Sequence, residues 1–439
     1  MNGLKGANKM KKIIVLLMVL LLAACSNQTV PKPNDEQQTQ NNNPQKDSDT
    51  NQDEVKQDDE ANNQEITINN EIKIDLLSFQ GTSFLKEYPQ DNPKLIYKGT
   101  QVLLHNDDYE KYPEIKETLE QFANMQKRSM DDEFEFMQEF ISEYQENIEL
   151  VEVDTQLKRG DEKIVSLIEY RIQDTSMVSN TRYASGYNYD TKTGQLLSIY
   201  DVVDKMDDFA NKVHESLFAH GWVGELYSED EVINYFVNTP SFDVSFSVDY
   251  QGVSVYFDPG VIAEAEYGLL IARVPFKGNE DIFKAKYIDE VYQEVIKFGA
   301  YQPLYVNLDK ENDLEQLDLF AVYERDDKNY VYYDIASEND AIHENVFANE
   351  IYPYYVRIND QHYVHVLCKM DDGSQSITIF HITNGKFTKV DSFDLGFPYL
   401  DSMFEYYSIP NDINKIELQD QDYYLTDYTI GKDGKYLKK

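Results

Sequence analysis

Residues 351–393 read IYPYYVRINDQHYVHVLCKMDDGSQSITIFHITNGKFTKVDSF. Four runs, at 351–358, 361–368, 375–382 and 387–393, are rich in β-branched and aromatic side chains. Between them stand Asn359-Asp360, Asp371-Asp372-Gly373 and Asn384-Gly385, residue types that tolerate the left-handed backbone of a tight hairpin. The pattern predicts a four-stranded antiparallel meander and places residues 300–439 in a small all-β domain.

Upstream the period changes. Residues 66–75, ITINNEIKID, alternate like a strand or hairpin, and strand-like pieces follow at 94–97 and 100–104. From 114 to 146 the apolar positions Ile115, Leu119, Phe122, Met125, Phe134, Met137, Phe140, Ile141 and Tyr144 recur mostly at steps of three and four behind Pro113. This predicts one long amphipathic helix, or two broken near Ser129. Strands are expected at 148–157, 163–174, 181–189 and 196–200, the last two joined by a turn at 190–194. A helical region is expected over 202–238, a strand pair over 242–257 turning at Gln251-Gly252, a strand at 269–276 and mostly helix over 281–298. Strands interleaved with helical insertions read as an α+β domain over 66–299. The fold class is therefore an α+β domain followed by a small all-β antiparallel meander domain.

The amino terminus has a different logic. Lys9, Lys11 and Lys12 precede a 12-residue apolar run, 13–24, that ends Leu22-Ala23-Ala24-Cys25. A basic head, a short apolar core and small residues before a cut are the parts of a secretory signal. The run is far shorter than the roughly 20 residues a spanning helix needs. Residues 1–24 are thus expected to be removed between Ala24 and Cys25. The ending resembles the lipobox of bacterial lipoproteins, which implies that the Cys25 sulfur carries diacylglycerol and, with fatty acyl chains such as palmitate, anchors the chain. The expected location is the outer face of the cytoplasmic membrane. Residues 25–65 are polar and lack aromatic side chains. They cannot bury enough apolar surface to offset ordering, and read as a disordered tether spanning roughly 35 Å.

Acidic residues number 80 against 40 basic ones, a net charge of −40, which removal of the leader's four lysines deepens to −44. Such a surface repels nucleic acid and attracts cationic partners or divalent ions. With Cys25 lipidated, Cys368 has no cysteine partner and the fold relies on its core alone. The 34 tyrosines, against 22 phenylalanines, suit half-buried sheet positions with the ring inward and the hydroxyl in water.

Three ordered motifs carry a family resemblance: Tyr112-Pro113 leading into Leu119; Gly186-Tyr-Asn-Tyr-Asp-Thr-Lys-Thr-Gly194 with Asp201; and Gly252-Val-Ser-Val-Tyr-Phe-Asp-Pro259 with Ile262, Ala263, Gly268 and the strand end Val274-Pro275-Phe276. Residues 66–290 thereby resemble the extracytoplasmic domain of RsiV-type anti-sigma factors, which also stands beside the catalytic domain of PdaC-type deacetylases. The resemblance implies an α+β envelope domain and, in the RsiV branch, a cationic, lysozyme-like partner. A chain anchored through Cys25 has no segment inside the cell, so no cytoplasmic sigma factor is expected.

Chemical motifs are sparse. His362 and His365 lie at odd spacing in a strand and face opposite ways, His214 and His220 diverge around a helix, and His105, His343 and His381 lie apart in sequence. No nucleophile elbow, phosphate loop or dinucleotide fingerprint occurs. Glu264 and Glu266, two apart on an expected strand, would share a face as a carboxylate pair. Asn307, Asp309, Glu311 and Glu315, with Asn312 at the turn position, follow the spacing of a calcium loop. Two readings of that loop stand, a weak calcium site or a polar turn before a strand at 317–322. No cofactor is otherwise required. The functional expectation is a lipid-anchored binding protein for a cationic extracellular protein or for peptidoglycan. The alternatives are a carboxylate-dependent wall hydrolase and a structural scaffold acting through a sheet edge.

Overall fold

The computed structural model describes residues 74–439 except 142–147, 176–180, 220–228, 290, 300–301, 309–313, 325–328, 371–373, 396–404 and 420–424. Its largest sheet has the order β18-β1-β2-β3-β4-β5, with β1 Phe79–Tyr88, β2 Leu95–Leu104, β3 Glu149–Gly160, β4 Ile164–Asp174, β5 Thr181–Asp190 and β18 Glu405–Ile409. The two expected pieces at 94–104 are one strand, β2. It runs parallel to β3, and helix α1, Pro113–Gln138, makes the crossover. This helix is continuous through Ser129. Its buried residues Ile115, Leu119, Phe122, Ala123, Gln126, Met130 and Phe134 keep helical spacing across that position, so nothing in the packing asks for a break. Its amino-terminal half packs on Val102, Leu104, Leu157, Val165 and Leu167, its carboxy-terminal half on Leu95, Tyr97, Val151 and Val153.

A second layer is built from β6 Phe246–Val248, β7 Gly252–Phe257 and β8 Leu270–Pro275, with α2 Ile199–Val202, α3 Met206–Ala219 and α4 Glu229–Asn238. Phe209, Val213, Leu217, Val232 and Phe236 from the helices meet Val253, Val255, Phe257, Ala272 and Val274 from the strands in one core. The strand expected at 196–200 is not formed. Leu196 makes a single bridge to Tyr189, and Ser198 and Asp201 then close a capping box that starts α2. Local side-chain bonding to the backbone outcompetes extension there.

The expected meander is present as β14 Glu350–Ile358, β15 Gln361–Lys369, β16 Gln375–Thr383 and β17 Lys386–Leu395. Asn359 and Asn384 adopt φ of 53° and 51°, the left-handed turn geometry their amides tolerate. A fifth strand, β9 Gln293–Lys297, lies antiparallel to β14. It replaces most of the helix expected over 281–298, where only two short 3-10 turns, Glu280–Ile282 and Ala285–Tyr287, occur. Val295 and Ile296 at consecutive positions each find a core, one on either face of the sheet, which a helix could not supply.

Against one face of this sheet packs a four-stranded sheet of β10 Leu304–Val306, β11 Glu315–Glu324, β12 Asn329–Ser337 and β13 Ala341–Ala348; their shared core includes Leu317, Leu319, Ile335, Tyr355, Val364 and Phe380. On the opposite face, β19 Ile416–Gln419, β20 Leu425–Ile430 and β21 Tyr436–Lys438 form a small sheet, with Ile416 and Ile430 packed on Val356 and Ile379. Two strands cross the boundary expected at 299: β9 belongs to the carboxy-terminal sheet, and β18 extends the amino-terminal one by pairing with β1. Asn411, just beyond β18, donates to the carbonyls of Leu77 (2.8 Å) and Gly160 (2.9 Å).

Charges line the buried seam along β3. Lys297 Nζ lies 2.6 Å from Asp154, and the Arg159 guanidinium contacts Asp161, Asp289 and the Tyr287 carbonyl. Nearby, Arg273 forks onto Asp249 through two 2.6 Å bonds, and Arg357 pairs with Glu294. Lys158 has no carboxylate partner of its own; its Nζ donates to Gln156 Oε1 and to the Lys297 carbonyl, both at 2.8 Å. Burial drives its pKa down to about 7.

Between pH 7 and 10 the unfolded chain therefore holds a proton on this lysine that the folded chain does not, and stability from this group rises with pH. Urea denaturation at pH 7, 8 and 9 is expected to show the wild type gaining on Lys158→Met by up to about 1.4 kcal/mol per unit. A pH-independent difference between the two would mean that the amine titrates normally.

Candidate binding surface

Ala24, Cys25, Asp309, Glu311 and His220 lie outside the described residues. Asn307 and Glu315 stand at the base of the β10–β11 hairpin, where Val306 pairs with Glu315. One Glu315 carboxylate oxygen accepts the Leu308 N–H at 2.8 Å, and the Asn307 N–H donates to Gln251 at 3.3 Å. Among the described residues no group of three or more His, Cys, Asp or Glu is arranged to hold a metal.

Glu264 and Glu266 do not share a strand face. They begin and occupy a 3-10 turn, Ala265–Tyr267, that Gly268 ends at φ 72°, and both are exposed. The histidines stay apart. His362 bonds Tyr355 (2.8 Å) and His365 bonds Tyr436 (2.9 Å) on opposite faces of the meander. Burial lowers the His365 pKa to about 3 and raises that of the Cys368 thiol to about 12, so neither acts as a base or nucleophile near neutrality.

The chemically distinct carboxyl is one the sequence reading passed over. Alternation along β4 sends Val165 and Leu167 beneath α1, and the same face continues with Glu169 and Arg171. Glu169 accepts a hydrogen bond from Gln126 Nε2, which also reaches Thr155 Oγ1 at 2.9 Å. Gln126 Oε1, buried beside it, has no hydrogen-bond partner. Burial raises the Glu169 pKa, with Gln126 and Arg171 opposing the shift. Arg171 pairs across to Glu133 of α1. Tyr187, opposite Leu167, packs its ring 4.5 Å from Phe122, and burial followed by the Glu169 charge pushes its hydroxyl to about 12. Tyr183 and Ser185 complete this half-exposed strip on edge strand β5.

The strip combines a protonatable carboxyl with half-exposed tyrosine rings, groups suited to holding a polar or cationic ligand. The signal for it lay in plain view: a glutamate that follows Val165 and Leu167 on the helix-facing register of β4.

No protein-family model matches the sequence, and no curated protein matches it. Solved structures similar to the chain include a DUF3298 family protein from Pseudomonas aeruginosa PAO1, at 14% identity and a TM-score of 0.30, covering 50% of this chain and 98% of that one. A DUF3298 family member from Bacteroides fragilis NCTC 9343 matches at 10% identity and a TM-score of 0.30, covering 48% and 94% respectively.

Glu315→Ala is expected to cost about 1 kcal/mol, through the lost loop hydrogen bond, equally with and without added calcium. Protection by calcium of the wild type alone would favour the metal reading of the loop. For Glu169→Gln, thermal melts at pH 7 are expected to match or exceed the wild type, because the neutral amide keeps the Gln126 bond without a buried charge. That advantage should shrink as pH falls and the wild-type carboxyl protonates.

Proposed function

We propose that this protein is a lipid-anchored component of the cell envelope that binds a cationic extracellular polypeptide. Cys25 would hold it to the outer face of the membrane, and residues 25–65 would keep the folded body clear of the lipid. One observation carries the choice of partner. The buried charges among the described residues come close to cancelling: Arg159, Arg273 and Lys297, with Lys158 partly neutralised by burial, stand against Glu149, Asp154, Asp161, Asp249 and Glu294. Burial therefore absorbs almost none of the net charge of −40, and the excess is left outside the core. A potential of that sign accelerates encounter with positive partners and repels anionic ones. The three motifs shared with RsiV-type extracytoplasmic domains support the same reading.

Titration with hen egg-white lysozyme, as a compact cationic protein, is the direct test. Affinity is expected to fall by about tenfold or more between 50 and 300 mM NaCl as the Debye length shortens. Binding that ignores salt, or no binding, would remove the electrostatic basis.

A second reading, a wall-modifying hydrolase, is favoured by the raised pKa of Glu169 alone. It requires turnover of purified peptidoglycan that Glu169→Gln abolishes. Turnover that persists in that variant would clear Glu169 of the role.

A further inference from the structure

The β10–β13 sheet has an inner face packed on the meander; on its outer face Tyr305 of β10 is buried against Ile168, Tyr170, Tyr256 and Ile271, while side chains of β11, β12 and β13 farther along are exposed. Leu317, Leu319, Ala321, Tyr333 and Ile335 point inward. The alternate positions form rows across the strands: Phe320 opposite Asp334 opposite His343, and Val322 opposite Tyr332 opposite Asn345. Phe320 is 40% exposed, Val322 37% and Phe347 54%. Asp334 bonds His343 Nδ1 at 2.6 Å, and the Tyr332 ring lies 4.8 Å from the His343 ring. These contacts hold a carboxylate beside an aromatic surface.

The charge pattern of these four strands is one-sided. They contain Glu315, Asp318, Glu324, Asp334 and Glu344, and not one lysine or arginine. The protein's own cations lie over aromatic rings at several places: Lys98 of β2 covers Tyr323 of β11 in this sheet, and away from it Lys297 lies over Tyr352 and Arg159 over Tyr250. The outer face offers rings and carboxylates together but supplies no cation from its own strands.

We infer that the outer face of the β10–β13 sheet is the docking surface for an arginine-rich, extended segment of the cationic partner. Guanidinium planes would stack on Phe320, Tyr332 and Phe347 while Asp334 takes up the charge. A planar guanidinium is preferred over an ammonium because it stacks and bonds carboxylates at once. This inference rests on the cationic-partner reading and assigns it a site.

The test uses the full chain in detergent, with fluorescein-labelled nona-arginine and nona-lysine followed by anisotropy. Nona-arginine is expected to bind several-fold more tightly than nona-lysine. Phe320→Ala/Phe347→Ala should weaken nona-arginine at least tenfold, and Asp334→Asn several-fold. Phe218→Ala, which removes an equally exposed ring from α3, should change binding less than twofold. These rings are at the surface, so the variants are expected to fold, and matching melting curves check it. If neither peptide binds the wild type, the cationic reading and this site fall together. If both bind and the double variant binds equally well, the site alone is wrong. Sedimentation showing a dimer that the double variant abolishes would overturn the inference in favour of a second copy of the chain.

Discussion

The burial of charge along β3 constrains the rest of this molecule. From Asp154 to Asp161 the strand places Asp154, Gln156, Lys158, Arg159 and Asp161 out of water, and Arg159 is among the largest fully buried side chains. Each such group costs several kcal/mol unless its hydrogen-bonding capacity is met. The chain between 287 and 302 meets it: the Tyr287 carbonyl and Asp289 take Arg159, Lys297 takes Asp154, and Gln302 takes Gln156. Few other placements of the 287–302 segment against β3 would satisfy so many groups at once. The polar seam therefore specifies where β9 lies, and β9 in turn carries the meander through its pairing with β14.

Backbone proximity imposes a second constraint, and it gives physical content to one motif of the sequence. A Cβ added at Gly186 would lie 1.9 Å from the Phe246 carbonyl oxygen, so β5 and β6 approach too closely there for any side chain. The contact is sealed by Ser245, which accepts the Gly186 N–H at 3.0 Å, and by Asn188, which donates to the Phe246 carbonyl at 2.8 Å. The edge of the large sheet is thereby covered by side chains of the second layer, which blunts strand-to-strand association at that edge. Glycine at 186 and asparagine at 188 are requirements of packing, whatever the chain binds.

The surface follows from the interior. Because the cations taken inside are matched by acids, folding leaves the charge excess on the outside, where it favours solubility and long-range attraction of positive partners. Two surfaces then differ from generic acidic exterior, each by combining carboxylates with aromatic rings. One is the strip beside α1, where partial burial raises the Glu169 pKa. The other is the outer face of the β10–β13 sheet, where Phe320, Val322 and Phe347 are solvent-exposed on strands without lysine or arginine. Uncompensated exposure and desolvation of this kind is expected where selection acts on binding.

Periodicity and turn chemistry were enough to read the meander, the long helix behind Pro113 and most strands of the large sheet, because these elements satisfy themselves with neighbours in sequence. The sign of the net charge also follows from residue types alone. The sequence reading failed where long-range partners decide. Residues 293–297 become a strand only because β14 lies beside them, and residues 405–409 complete a sheet begun more than 300 positions earlier. Glu169 becomes unusual only when α1 lies against its strand, and Glu264 and Glu266 lose their shared face to a turn that ends at Gly268. Local pattern specifies which face of an element is apolar; the pairing of distant segments, and the water they exclude, determines which polar groups acquire a perturbed environment.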